Sequence, residues 1–174
     1  MSLSKEDISE DGSECILYGE LFTIYGPVIN EIKSKTRRIV SKPTLSTSQD
    51  LLFPSSTTVD ARSLISPSAI TKAGVILGGD MFGIRVNKRF NNKYLSYIFN
   101  SVYKNLLAKY AKGSTIVHLH YNEIKEVKLE LPDLQVQNKV VKMLSLLENK
   151  LVMEIALQSM YQSQKEYLLR GVFI

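Results

Sequence analysis

The last quarter of the chain constrains the rest. From Leu129 it reads LELPDLQVQNKVVKMLSLLENKLVMEIALQSMYQSQKEYLLRGVFI, in which no proline follows Pro132 and the next glycine is Gly171. A helix of about 39 residues rises ~58 Å, whereas globular helices average about 11–12 residues. A helix of that length cannot bury itself against a small domain and needs a partner along its length. The residues before it must therefore form a compact domain carried on one end of a rod.

The rod carries a heptad-like seam. Val140, Leu147, Glu154, Tyr161 and Leu168 fall in one register, and Leu144, Leu151, Gln158 and Lys165 fall in the next. A further row, Leu146, Met153, Met160 and Tyr167, widens the apolar face. The seam begins apolar and turns polar at Glu154 and Gln158, and a polar break of that kind fixes register and orientation at some cost in stability.

Upstream, the β-branched and aromatic segments suggest short strands. The segment from Cys15 to Gly26 predicts one or two strands, Arg37 to Lys42 another, and Asp50 to Ser56 a third ended by Pro54. Pro67 argues against a helix across residues 57–73. Residues 74–87, GVILGGDMFGIRVN, predict a hairpin turning at Gly78-Gly79-Asp80. Leu95, Ile98, Phe99, Val102, Leu106 and Tyr110 follow amphipathic helical spacing, with Asn91 or Asn92 as cap and Gly113 as terminator. STIVHLH predicts a strand, YNEIKE a turn, and VKLELP a last strand. The fold class is α+β: a compact, mixed, β-rich domain over residues 1–131, then one long helix over 132–174.

Charge is uneven. The 22 lysines and arginines against 17 acids give a formal charge of +5. Between Asp80 and Glu123 there is no acid, yet Arg85, Lys88, Arg89, Lys93, Lys104, Lys109 and Lys112 lie there. Lys33, Lys35, Arg37, Arg38 and Lys42 form a second acid-free block. Such blocks suit a polyanion, and equally a solvated face. Cys15 is the single cysteine, so neither a disulfide framework nor a zinc cluster is expected. The polar start MSLSKEDISEDG is no signal peptide, and no apolar run reaches the ~20 residues of a membrane helix. These features point to a cytoplasmic protein. His118 and His120 would share one face of a strand without a third ligand close in sequence, which argues against a metal site. The glycines at 74, 78, 79 and 83 match no phosphate-binding motif. No catalytic constellation stands out, so an enzyme is not expected.

The chain resembles half of the specificity (DNA-recognition) subunit of type I restriction-modification systems, over nearly all of its length. KEDISEDGSECILYGELFTIY is similar to that family's opening segment. AGVILGGDMFGIRV, NNKYLSYIFNS and AKGSTIVHLHYNEIKEVKLELPDLQVQNKVVKML are similar to the later part of one target recognition domain and the helix after it. The most specific element is Leu131, Pro132, Leu134 and Gln137 leading into the helix. Family members usually carry Glu-Gln at its end, where this chain has Val136-Gln137. KEYLLRGVFI is similar to the family's closing segment.

A full subunit would have two recognition domains and two long helices; this chain has one of each and lacks the expected Trp-containing lead strand. The resemblance leaves open a natural half-subunit, a truncated gene product and an engineered fragment. It implies an antiparallel coiled coil between two copies, with Val140, Leu144, Leu147, Leu151, Glu154, Gln158, Tyr161 and Leu168 as dimerisation residues. It implies double-stranded DNA as ligand, read as a bipartite palindrome whose spacer the helices set. It implies partnership with a methyltransferase (modification) subunit and a restriction (motor-nuclease) subunit. S-adenosylmethionine, ATP and magnesium are expected on those partners, and no cofactor on this chain. Charge and loop placement nominate Lys33, Lys35, Arg37, Arg38, Lys42, Ser46, Thr47, Ser48, Arg62, Arg85, Lys88 and Arg89 for DNA contact. The alternative is a coiled-coil assembly protein whose β domain binds protein and not DNA.

Overall fold

The computed structural model describes residues 3–172. The chain divides into two compact units, Met1–Leu134 and Gln135–Ile174.

The first unit is mixed α/β with three small sheets. One has the strand order β3-β1-β7, from Ser34–Thr36, Ser13–Ile16 and Ile76–Leu77. The second has the order β2-β6-β4-β8, from Val28–Ile29, Ser68–Ile70, Asp50–Pro54 and Met81–Arg85. The third pairs β5 (Ser56–Thr57) with β9 (Val117–His118). The expected strand at Asp50 is present and central. It is buried along its whole length because β6 and β8 flank it on both edges and the apolar Leu51-Leu52-Phe53 run has no polar face to offer water. Phe53 lies opposite Phe82 in the β4–β8 register. Their rings stack with centroids 5.0 Å apart, and Phe99 completes the cluster at 6.1 Å from Phe53.

Helix α3 (Asn92–Asn100) brings Phe99 there. Asn91 caps it, its side chain accepting the Tyr94 N–H at 3.1 Å. Leu95 and Phe99, one turn apart, enter the core with Leu51 and Phe53. Asn92 donates its amide to the carbonyls of Ser48 and Ile70, and the Ser96 hydroxyl lies 2.6 and 2.8 Å from the Pro27 and Pro67 carbonyls. Polar side chains thus fasten the helix to backbone carbonyls at the ends of β2, β4 and β6.

Several elements differ from the sequence reading. The segment after Ile16 is not strand: Glu20–Thr23 forms a short helix, α1. The buried Glu20 carboxylate accepts the Leu17 N–H at 2.7 Å and the Ser34 hydroxyl, and this turns the chain. The strand expected at Arg37 lies just before it, at β3, because its partner β1 starts at Ser13, opposite Thr36. A short helix, α2 (Ala61–Leu64), precedes Pro67 and is capped by Asp60. The expected hairpin is a crossover. Its first half, β7, pairs with β1 in parallel, and its second half, β8, pairs with β4 in the other sheet. The single amphipathic helix is two, α3 and α4 (Lys104–Ala108). Ser101 donates to the Tyr97 carbonyl and the Tyr103 N–H reaches back to Ile98. This kink sets Tyr103 edge-on to Phe99. YNEIKE holds one helical turn, α5 (Tyr121–Ile124). VKLELP is not a strand, although Val127, Leu129 and Leu131 still pack on the core at alternate positions.

Cys15 is fully buried beside Leu3 and Leu17. Burial, with help from the nearby Glu20 and Asp7 charges, pushes its thiol up to about 11, and a buried, protonated thiol is a poor nucleophile. A thiol reagent at pH 8 is expected to label the native chain far more slowly than the denatured chain. Stoichiometric labelling on mixing would contradict this packing.

The second unit is one helix, α6 (Leu134–Val172), of 39 residues. Val140 and Leu144 are half-buried, and residues 146–171 are all exposed. No helix among the described residues is long and apolar enough to cross a membrane.

Candidate nucleic-acid interface

The first cationic block is shaped by strand alternation. In β3 and its flanks, Ile32, Ser34 and Thr36 turn inward, and Lys33, Lys35 and Arg37 turn outward. The small inward residues are tied down, Ser34 to Glu20 and Thr36 to the Asp7 carbonyl at 2.6 Å. The outward row is less free than its acid-free sequence suggests, since the segment before β1 brings Asp7 and Asp11 alongside and Glu31 lies next to Lys33. Arg37 gives its Nε and, at 2.7 Å, its Nη2 to the two oxygens of Asp11. Arg38 pairs with Asp7 at 2.6 Å, and Lys33 with Glu31 at 2.5 Å. The Arg37 guanidinium holds the Asp11 carboxyl below the ordinary aspartate value, and the Ser4 N–H, with Arg38, does the same for Asp7. Lys72 is likewise matched, by Glu14 at 2.7 Å.

Gly12 makes the Asp11 pairing possible. Its φ of +112° is open to glycine, and a Cβ there would lie 2.3 Å from the Thr36 carbonyl oxygen. The Asp11-Gly12 turn therefore sits directly against the end of β3.

A second group forms where the loop before β4 meets the end of β8. The Gln49 carbonyl accepts the Val86 N–H at 2.9 Å, and the Ser48 carbonyl accepts from Asn92 at 3.2 Å. These bonds gather Ser48, Arg85, Lys88 and Arg89. Within the loop, Ser46 is buried and bonded to Lys72 and Val75. The Thr47 hydroxyl donates to Asp50 at 2.7 Å, so both hydroxyls are committed to the fold. Asp50 also holds Arg85, at 3.1 Å. Lys88 and Arg89 project from a turn closed by Phe90 N–H to the Asn87 carbonyl.

Arg62 stands on α2, and Lys42 sits in the loop before β4 with a left-handed φ of +58°. Lys35, Lys42, Arg62, Lys88 and Arg89 are exposed and make no salt bridge among the described residues. The structure thus separates the nominated cations into those that form a salt bridge and those that form none among the described residues. Asp11 was not nominated; its signal was the Asp-Gly turn at the start of a strand. Nor was Ile39, an apolar side chain 95% exposed inside the cationic stretch.

His118 and His120 do share a face, with rings stacked at 6.2 Å. Among the described residues, no group of three or more His, Cys, Asp or Glu is placed to hold a metal ion.

A mixed α/β domain with outward cationic rows, followed by one long helix, is the architecture of a specificity domain. The family model described as "Type I restriction modification DNA specificity domain" matches residues 16–158, and the chain belongs to this family, one of non-catalytic specificity domains. No curated protein matches the sequence. Three solved structures share the fold at 14% identity. The type I S subunit from M. genitalium aligns over 86% of this chain and 35% of its own, with a TM-score of 0.55. The HsdS subunit from Thermoanaerobacter tengcongensis aligns over 87% and 34%, with a TM-score of 0.54. A chain from a structure on complex assembly and conformational transition of the type I R-M system aligns over 97% and 39%, with a TM-score of 0.61. This chain therefore spans roughly a third to two fifths of the length of those chains.

Proposed function

We propose that this chain is the DNA-reading component of a type I restriction-modification system, acting in the cytoplasm as a half-subunit homodimer on a bipartite palindrome. The observation that carries the reading is the family match, which runs from the first sheet through much of the long helix. The exposed cations that make no salt bridge among the described residues, Lys35, Lys42, Arg62, Lys88 and Arg89, hold the DNA phosphates. Arg85, exposed but paired with Asp50, is not counted among them.

The helix supports the assembly. Residues 146–171 are exposed throughout, and the apolar ones lie on two sides, so the row through Leu146 does not widen the seam's face but forms a second one. At about 100° per residue, Leu146 stands some 200° around the axis from Leu144. One stripe, through Leu144, Leu147 and Leu151, pairs with the antiparallel helix of a second copy. The other, Leu146, Met153, Met160 and Tyr167, docks the methyltransferase subunit, and the motor-nuclease subunit joins that complex. Chemistry and its S-adenosylmethionine, ATP and magnesium belong to those partners.

The ion pairs at Lys33, Arg37 and Arg38 favour a second reading, a protein-binding scaffold with no DNA role. Modified-base sequencing of DNA from cells co-expressing this chain and its methyltransferase subunit separates the two. Two inverted half-sites around a fixed gap are expected, and no new motif with both proteins soluble supports the scaffold. In binding titrations across salt, Lys88→Ala with Arg89→Ala is expected to reduce the slope of log K against log salt by about two, at ~0.9 per lost phosphate contact. An unchanged slope removes both from the interface.

A further inference from the structure

We propose that Arg37 reads a guanine and that Asp11 is its positioning residue; this deepens the DNA-reading function proposed above and rests on it.

The argument starts from which guanidinium groups remain available. Asp11 occupies Nε and one hydrogen of Nη2. The opposite edge of the planar fork, one N–H of Nη1 beside the outer N–H of Nη2, is left as two parallel donors. Guanine presents two matching acceptors, O6 and N7, in the major groove, and a bidentate arginine is their commonest partner. The side chain is largely exposed, at 73%, and stands just past the end of β3, a strand at the edge of its sheet. The Asp11 pair holds the flexible arginine side chain in one orientation, so less freedom is lost on binding. The turn that delivers Asp11 is pinned by Gly12 against Thr36 and the Arg37 N–H.

Charge then decides between base and phosphate. Arg37 with an ionised Asp11 is a neutral pair, so it gains little from a phosphate and releases few counterions. Hydrogen bonding to a base edge needs no net charge. Arg38 makes the contrast: it is about one third exposed and uses a terminal nitrogen, Nη1, on Asp7, so its free edge is not presented in the same way. The outward row also continues past Arg37 to Ile39, which is 95% exposed. An apolar side chain has a partner on a base edge, the thymine methyl, and none on a phosphate.

The test uses the full chain with its methyltransferase subunit, comparing wild type with Arg37→Ala, Arg37→Lys, Arg38→Ala and Asp11→Asn by methylated-motif sequencing and by binding at several salt concentrations. The wild-type motif is expected to contain a G·C pair that Arg37→Ala relaxes in each half-site. Affinity for the native site should fall about 10- to 100-fold, with binding to scrambled DNA and the salt slope unchanged in the charge-balanced pair Arg37→Ala with Asp11→Asn. Arg37→Lys keeps the charge and loses the fork, so it should relax the same position. Asp11→Asn should relax that position in part, and Arg38→Ala should leave the motif intact. An unaltered motif in Arg37→Ala, or full retention of specificity in Arg37→Lys, overturns the proposal. So does an equal loss on native and scrambled DNA in the charge-balanced pair, with a slope lower by about one, which marks a phosphate contact. A wild-type chain that yields no motif and retains no DNA overturns the DNA reading itself, which is a different result.

Discussion

Leu147→Asp combined with Leu151→Asp is expected to convert a dimer of this chain into monomers. Both leucines are exposed in the isolated chain and lie on the stripe assigned to helix pairing. Each apolar side chain lost from a pairing face forfeits roughly 2 kcal/mol, and a dimer carries every substitution twice. The total is about 8 kcal/mol, or between five and six powers of ten in Kd, before any cost of burying the new carboxylates. Sedimentation equilibrium should show wild-type dimer and variant monomer at micromolar concentration. Methylation in the co-expression assay should vanish, because half-sites read by separate molecules have no fixed gap. A variant that stays dimeric would move the interface off this stripe. Met153→Asp with Met160→Asp, on the opposite side of the helix, should leave the dimer intact and weaken retention of the methyltransferase subunit.

The second large effect lies in the recognition unit. Phe53→Ala is expected to lower its stability by about 3–5 kcal/mol, a third or more of what a domain usually possesses. Phe53 is fully buried on the central strand, stacked on Phe82 and tilted against Phe99. Truncation therefore opens a cavity bounded by a strand on each side and a helix, none of which can close it alone. Near-UV circular dichroism should register a fall in Tm of roughly 10–20 °C, while α6 keeps its far-UV signal if its partner helix is present. A fall below 2 °C would show that the site collapses around the smaller side chain.

The sequence carried the long helix clearly, since Pro132 and Gly171 bracket a run with nothing to break it. It also carried β4, whose apolar core and terminal proline left few alternatives. It failed where tertiary bonds chose the local structure. Ile16-Leu17-Tyr18 looks like the start of a longer strand until Glu20 captures the Leu17 N–H and Ser34. The two halves of GVILGGDMFGIRVN look like a hairpin until β1 and β4 claim one each. The acid partners of the cations were hidden for a related reason. Five basic residues without an acid between them show no partner along the chain, but the fold delivers Asp11 and Asp7 from 26 and 31 positions earlier. A charge run describes neighbours along the chain, and an electrostatic surface depends on neighbours across it.

The parallel pairing of β1 with β7 has a consequence for synthesis. Cys15 and Ile16 find their partners at Ile76 and Leu77, roughly 60 positions later. At about 5–20 residues per second, the first strand waits several seconds on the ribosome for that partner. The antiparallel mate β3 arrives sooner but covers one edge. A nascent chain halted before Ile76 thus has no complete sheet to present, so interrupted translation yields material for proteolysis and not a weakened reader of DNA.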